Sequence, residues 1–157
     1  MRTRSPEPSR RQRGVAAVEF GLTVVLLATI LMAASEFGRA MYQYNTVVKG
    51  ARAASRYLAQ FPAGDAAAIT AARNLVVYGR TTATGNPLVP GLTTAMVTVC
   101  DASNCAGTHR RQATGQGTVN LVTVSVTGLR FQSLATWVLA NITFDTIRAS
   151  MPQGAGT

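Results

Sequence analysis

The chain passes at residue 15 from a polar, arginine-rich stretch into VAAVEFGLTVVLLATILMAAS (15–35), an apolar run whose sole charged residue is Glu19. These twenty-one residues at about 1.5 Å each make about 30 Å of helix, the thickness of a bilayer's hydrocarbon core. The pattern then turns amphipathic instead of ending. Phe37, Met41, Tyr44 and Val48 recur at spacings of three and four ahead of Ala51, Ala54 and Leu58, with Arg39, Lys49, Arg52 and Arg56 between them. A single helix over about 15–58 is predicted, on the order of 65 Å long, with a first half fit for lipid or a filament core and a second half fit to carry a head. Arg52 and Arg56 stand one turn apart on a solvated face, or pair with acidic residues or lipid phosphates at a membrane surface.

Phe61-Pro62-Ala63-Gly64 should stop that helix, since Pro lacks a backbone donor and Gly tolerates unusual dihedrals. Asp65 then offers an N-cap to an Ala-rich helix that ends at Gly79. Gly85-Asn86-Pro87 and Pro90-Gly91 mark a connector with two turns. Strand patterns come next at 96–100 and at 118–127, where Val122, Val124 and Val126 alternate with Thr123, Ser125 and Thr127 as in a half-buried antiparallel strand packed on a helix. Within 129–141, Leu129, Leu134, Trp137 and Val138 fit one helical face, although a loop with a short helix reads similarly; a last strand is predicted over about 141–150. The fold class is therefore α+β: a long N-terminal transmembrane helix, then a small exported head of helices and a three-stranded antiparallel sheet. The boundaries are a leader at 1–14, the helix at 15–60 with its membrane part at 15–35, and the head at 61–157.

Composition agrees with a single modest core: 157 residues, 47% hydrophobic, are too apolar for a disordered chain. A formal net charge of +9 first points to nucleic acid. Its distribution changes that reading. Arg2, Arg4, Arg10, Arg11 and Arg13 precede the apolar run against Glu7 alone, so +4 of the +9 belongs to the leader and +5 to the rest. A basic cluster abutting an apolar helix is a positive-inside signal, which keeps the N-terminus cytoplasmic and exports the chain beyond about residue 36. Arg110 and Arg111 lack interleaved aromatics, so no nucleic acid partner is expected.

Export of this kind has three versions: a signal peptide cut near Ala33-Ala34-Ser35, an uncut anchor, or a cut ahead of the apolar run. Only the last gives Glu19 a role. A carboxylate costs about 2.5 to 3.5 kcal/mol at the centre of a membrane helix and so tends to mark function. Cleavage between Gly14 and Val15 would create an α-amine with an ordinary pKa of about 8, one helical turn before Glu19 on the same face. The two charges can meet within a chain or between neighbouring chains offset by one step.

RGVAAVEF (Arg13 to Phe20) resembles the processing site of class IV prepilins of the Flp/Tad type: a basic leader ending in Gly, four residues, then Glu and an aromatic. EFGRAMYQYNTVVKGARAASRYLA (Glu36 to Ala59) is similar to the signature of TadE-like minor pseudopilins. The two motifs cover residues 13–59, and their separation is more specific than either alone. The resemblance implies a type IV pilin-like subunit cut by a prepilin peptidase. Gly14 would precede the cut, Val15 would be the new N-terminus, and Glu19 and Phe20 would register the helix during assembly. It implies as partners the prepilin peptidase, other Flp/Tad pilin and pseudopilin subunits, an inner-membrane assembly platform and membrane lipid, with the head in the periplasm. Position 15 is Val where many prepilins of other classes begin with Phe. Major Flp pilins end soon after the apolar helix, whereas this chain continues for more than a hundred residues, which favours a minor subunit.

Cys100 and Cys105 are the only cysteines. In an oxidising compartment they should form a disulfide that clips a small loop and stabilises by about 2 kcal/mol. The competing reading is metal, with Cys100, Cys105 and His109 in C-x4-C-x3-H and Asp101 beside them; zinc motifs space cysteines more tightly and add a fourth strong ligand, so no metal is expected. His109 reads as a solvated loop residue, and Gly115-x-Gly117 as a turn without the Lys and helix of a phosphate loop. With no nucleophile elbow or paired carboxylates, neither an enzyme nor a cofactor is expected. The rival readings are a secreted binding domain behind an ordinary signal peptide, and an anchored periplasmic domain that binds a ligand or metal.

Overall fold

The computed structural model describes residues 10–115 and 117–153; leader residues Arg2, Arg4 and Glu7, the side chains of Arg10, Arg11 and Arg13, and the last four residues of the tail lie outside the described residues. Helix α1 runs unbroken over Arg10–Leu58. Its two halves have different surroundings. From Gly14 to Ser35 every residue is exposed except the half-buried Thr29 and Ala33, whereas from Glu36 onward one face is buried in the head.

That buried face is not the one the large apolar residues mark. Phe37 and Met41 are exposed, Tyr44 lies at the edge with its ring 5.6 Å from that of Phe144, and Val48 is half-buried. Glu36, Ala40, Val47, Gly50, Ala51, Ala54 and Leu58 face inward instead. Close approach explains the preference for small residues. A Cβ at position 50 would lie 3.2 Å from the Val76 carbonyl oxygen and 3.3 Å from its Cα, so the next helix rests backbone to backbone on α1.

That helix, α2, spans Ala66–Tyr78. Asp65 Oδ1 accepts from the amides of Ala67 at 2.9 Å and Ala68 at 3.0 Å, and Gly79 closes the helix at φ 72°, its N–H donating to the Leu75 carbonyl. Both caps stand at the positions their residue types predict. Each works by satisfying backbone groups that a helix end leaves unpaired.

The sheet is built on one long strand. In chain order come β1 (Val97–Cys100), the four-residue helix α3 (Ala106–His109), β2 (Gln112–Thr114) and β3 (Gly117–Val126). After these come β4 (Arg130–Phe131), β5 (Ile142–Thr143) and β6 (Ile147–Gln153). All pairings are antiparallel: β1 pairs Val97 with Val126, β2 pairs Gln112 with Val119, and β6 pairs Ile147 with Val126. Val122, Val124 and Val126 turn inward and are buried, as their alternation predicts. They pack with Val47 and Leu58 of α1, Val76 and Val77 of α2, and Ile147 of β6 into one core.

Three expectations change. The predicted strand at 141–150 is two strands separated at Phe144 to Thr146, and the second runs on to Gln153 with Pro152 paired to Leu121. No helix forms over 129–141. Leu129 and Phe131 are buried while Leu134 and Trp137 are exposed, so helical spacing here joins residues that face different surroundings. The described residues hold six strands rather than three, because β2, β4 and β5 are too short to show alternation. At the far end of β6, buried Gln153 donates Nε2 to the carbonyls of Leu58 at 3.3 Å and Phe61 at 2.9 Å, closing the C-terminal end of α1.

Candidate functional site on the free helix and its junction with the head

Gly14, Val15, Glu19 and Phe20 all lie exposed on the free half of α1, and nothing approaches within 4 Å of a Cβ built at Gly14. The helix continues through the Gly14–Val15 peptide, with Val15 and Glu19 one turn apart. Thr23 and Thr29 donate their hydroxyls to the carbonyls of Glu19 at 2.8 Å and Val25 at 2.9 Å. These two polar side chains are therefore satisfied within the helix, as an apolar surrounding demands. Val18, Leu22, Val25, Leu26, Ile30 and Leu31 are each more than half exposed. Among the described residues this is the one helix long and apolar enough to cross a membrane.

The junction with the head is organised by Glu36. Its carboxylate is buried at 4% exposure and pairs with Arg39 one turn on. Oε2 also accepts from Ser133 Oγ at 2.8 Å and from the Leu134 amide at 3.0 Å. Burial alone would raise its pKa; the bonds from Ser133, Leu134 and Arg39, together with the guanidinium charge, outweigh burial and hold it below the ordinary value. The Arg39 guanidinium in turn lies 5.3 Å from the centre of the Phe131 ring in β4. A cation over an aromatic face is attracted by the ring's quadrupole. Both charged residues of the EFGRA stretch thus hold the β4–β5 ribbon and its loop against α1. Beside them opens a cleft of about 540 Å³ that includes Arg39, Gln43, Arg130 and Ser133.

The cysteine loop lies elsewhere on the head. Cys100 and Cys105 are joined as a disulfide, with Cα atoms 5.5 Å apart. Their sulfurs and a ring nitrogen of His109 fall within 4.8 Å of one another, which gathers the C-x4-C-x3-H residues in space. The donors are committed, however. Each sulfur is bonded to the other, while His109 Nδ1 lies 2.8 Å from Thr108 Oγ1 and Nε2 lies 2.8 Å from Thr123 Oγ1. His109 is accordingly half-buried and tied to β3 rather than solvated. Asp101 turns into its own loop, taking bonds from the Gly64 amide at 2.8 Å, the Ser103 amide at 2.8 Å, the Ser103 hydroxyl at 2.7 Å and the Asn104 amide at 3.2 Å. Burial works to raise its pKa, and these donors overcome it to leave the carboxyl below its usual value.

Sequence reasoning does not find the Glu36 contacts. The spacing of Glu36 and Arg39 is a visible signal, but Ser133 lies 97 positions away in a segment with no regular pattern. In the sequence Asp101 resembles a spare ligand, whereas the structure makes it the hub of a loop.

The fold and this surface define a class: an α+β protein carried on a single membrane-capable helix whose second half belongs to the head. Residues 14–56 match the family described as TadE-like protein, so this segment is similar to a TadE-like domain. No curated protein and no solved structure matches the chain. The matched segment begins at Gly14 and takes in both the free half of α1 and the face bearing Glu36 and Arg39; the cysteine loop and the β4–β5 ribbon lie outside it.

Proposed function

We propose that the chain is a minor pilin or pseudopilin subunit that helps initiate, cap or drive assembly of a Flp/Tad-type pilus and performs no catalysis. The observation that carries the reading is the free half of α1. Twenty-two consecutive residues from Gly14 to Ser35 contain none that is fully buried, in a segment that matches the TadE-like family. A surface that apolar is stable only in lipid or against like helices. In this reading the N-terminus lies in the cytoplasm and the head in the periplasm. A prepilin peptidase cuts between Gly14 and Val15, and the subunit then associates with other pilin and pseudopilin subunits at the inner-membrane platform.

Glu19 supplies the registry. Without an ion-pair partner among the described residues, its carboxylate gains most by meeting the Val15 amine of a neighbour, because an opposite charge offsets desolvation where water is excluded. N-terminal sequencing of the membrane-extracted protein is the decisive test. A first residue of Val15 supports this reading, Met1 supports an uncut anchor, and a start near Ser35 or Glu36 supports a secreted domain behind an ordinary signal peptide. Glu19→Ala should leave cleavage intact and reduce incorporation into pili; normal pilus output from that variant would remove the registry role.

A further inference from the structure

Leu134 and Trp137 are the two most exposed large apolar side chains of the head, at 83% and 71%. Their position along α1 is fixed. The Leu134 amide bonds to Glu36, the first residue after the apolar run, and Ser133 bonds to the same oxygen. Beyond them the chain makes one tight turn, with the amides of Val138 and Leu139 both donating to the Ala135 carbonyl, so Trp137 stays within a turn of the pinned residue. The loop is therefore held at the height where α1 leaves its apolar segment. Phe37 and Tyr42 are exposed on α1 just past that height, and the exposed guanidinium of Arg130 belongs to the cleft beside Ser133.

We propose that the 132–140 loop is a second membrane contact, in which Leu134 and Trp137 enter the headgroup region of an anionic bilayer beside the helix and Arg130 faces the phosphates. Three features select lipid over another protein as the occupant. The site is continuous with the apolar run through the Glu36 bonds. Its side chains are an aliphatic anchor and an amphipathic indole, the combination that accumulates at membrane interfaces. Its neighbouring cation suits phosphate. The head would then be tethered at two points, with its orientation to the membrane set before any assembly. The proposal rests on reading 15–35 as a membrane span.

Trp137 is the only tryptophan, so its fluorescence reports this loop alone. The full chain is reconstituted into phosphatidylethanolamine/phosphatidylglycerol vesicles, with and without lipid brominated near the top of the acyl chains. Flotation and resistance to carbonate extraction are measured on the same samples. An embedded indole should lose roughly half of its emission to the bromines and be shielded from aqueous acrylamide. Leu134→Glu should restore much of that emission while the chain still floats. If the chain floats and resists extraction but Trp137 is unquenched by bromines, the loop contact is overturned and the span stands. A chain that neither floats nor resists extraction overturns both.

Discussion

Glu36 and Ser133 stand 97 positions apart in the chain and meet through a 2.8 Å hydrogen bond at the point where α1 stops being bare and becomes part of the head. The bond is one of three on a single carboxylate, and the other two donors come from Arg39 and Leu134. One side chain of the helix thereby fixes a loop that has no regular structure of its own.

Removing that carboxylate should free the loop without unfolding the head. Glu36→Ala takes away the partner of Arg39 and the acceptor for two head donors, whereas the core from Val47 to Leu58 is left in place. Amide exchange at Leu134 and across 132–140 should accelerate by about tenfold or more, with β3 and β6 unchanged. Uniform acceleration throughout the head would show that Glu36 supports the whole fold rather than the junction.

Acid should loosen both polar hubs. The ordinary carboxyl values are 4.5 for Glu36 and 3.8 for Asp101, and each is lowered in the folded chain. A group that binds its proton less readily when folded stabilises fully above its unfolded pKa and loses that contribution as pH falls through the folded value. Stability of the head should therefore be flat at neutral pH and decline as pH drops below about 4.5. The Glu36→Gln, Asp101→Asn double variant should be less stable at neutral pH and show a shallower acid limb. An equally steep limb in urea melts at stepped pH would assign the acid sensitivity to other carboxylates.

The cysteine loop should report its oxidation state directly. Thiol titration of the unfolded, unreduced protein should find no free thiol, and reduction should release both. Replacing Cys100 and Cys105 together with Ser should cost about 2 kcal/mol, modest because the ring is short. Asp101→Ala should cost at least as much, about 2 to 3 kcal/mol, since it strands the amides of Gly64, Ser103 and Asn104. Chemical denaturation of the two variants side by side compares the covalent clip with the hydrogen-bonded one.

Helix contact at Gly50 sets a size limit. An alanine there gains roughly 0.5–1 kcal/mol of helix preference but must press its methyl on the Val76 backbone, so its net effect should be small. Gly50→Leu cannot be accommodated without moving α2, and should destabilise by about 1 to 3 kcal/mol or more. A leucine variant as stable as the original in urea melts would mean that α2 can slide along α1 at little cost.

Much of the scaffold is legible in the sequence because its signals are local. Asp65 and Gly79 bracket α2 through their own backbone preferences, and β3 announces itself by three alternating valines that share one core. The uninterrupted reach of α1 comes from an apolar run passing directly into an amphipathic one. Which stripe of α1 faces the head is not legible from residue size. Periodicity gives the spacing of a face, but the preference of α2 for Gly50 over Met41 depends on how closely two backbones approach. The β4–β5 ribbon is hidden for a different reason. Pairs such as Arg130 with Thr143 and Phe131 with Ile142 are two-residue strands with no period, and their place is set by contacts to α1 that are distant in sequence. The candidate site divides in the same way. Gly14, Val15, Glu19 and Phe20 form a linear motif, while the Glu36 junction exists only once the chain has folded.

The continuity of α1 has a mechanical consequence. A single rod with no break over Arg10–Leu58 is gripped at its far end by Gln153 and midway by Ser133 and Leu134. Such a rod has no slack, so axial force or torque applied to its bare end is delivered to the head with little loss. Extracting the bare end by one residue lifts the head by about 1.5 Å and, if the rod screws along its own pitch, turns it by about 100°.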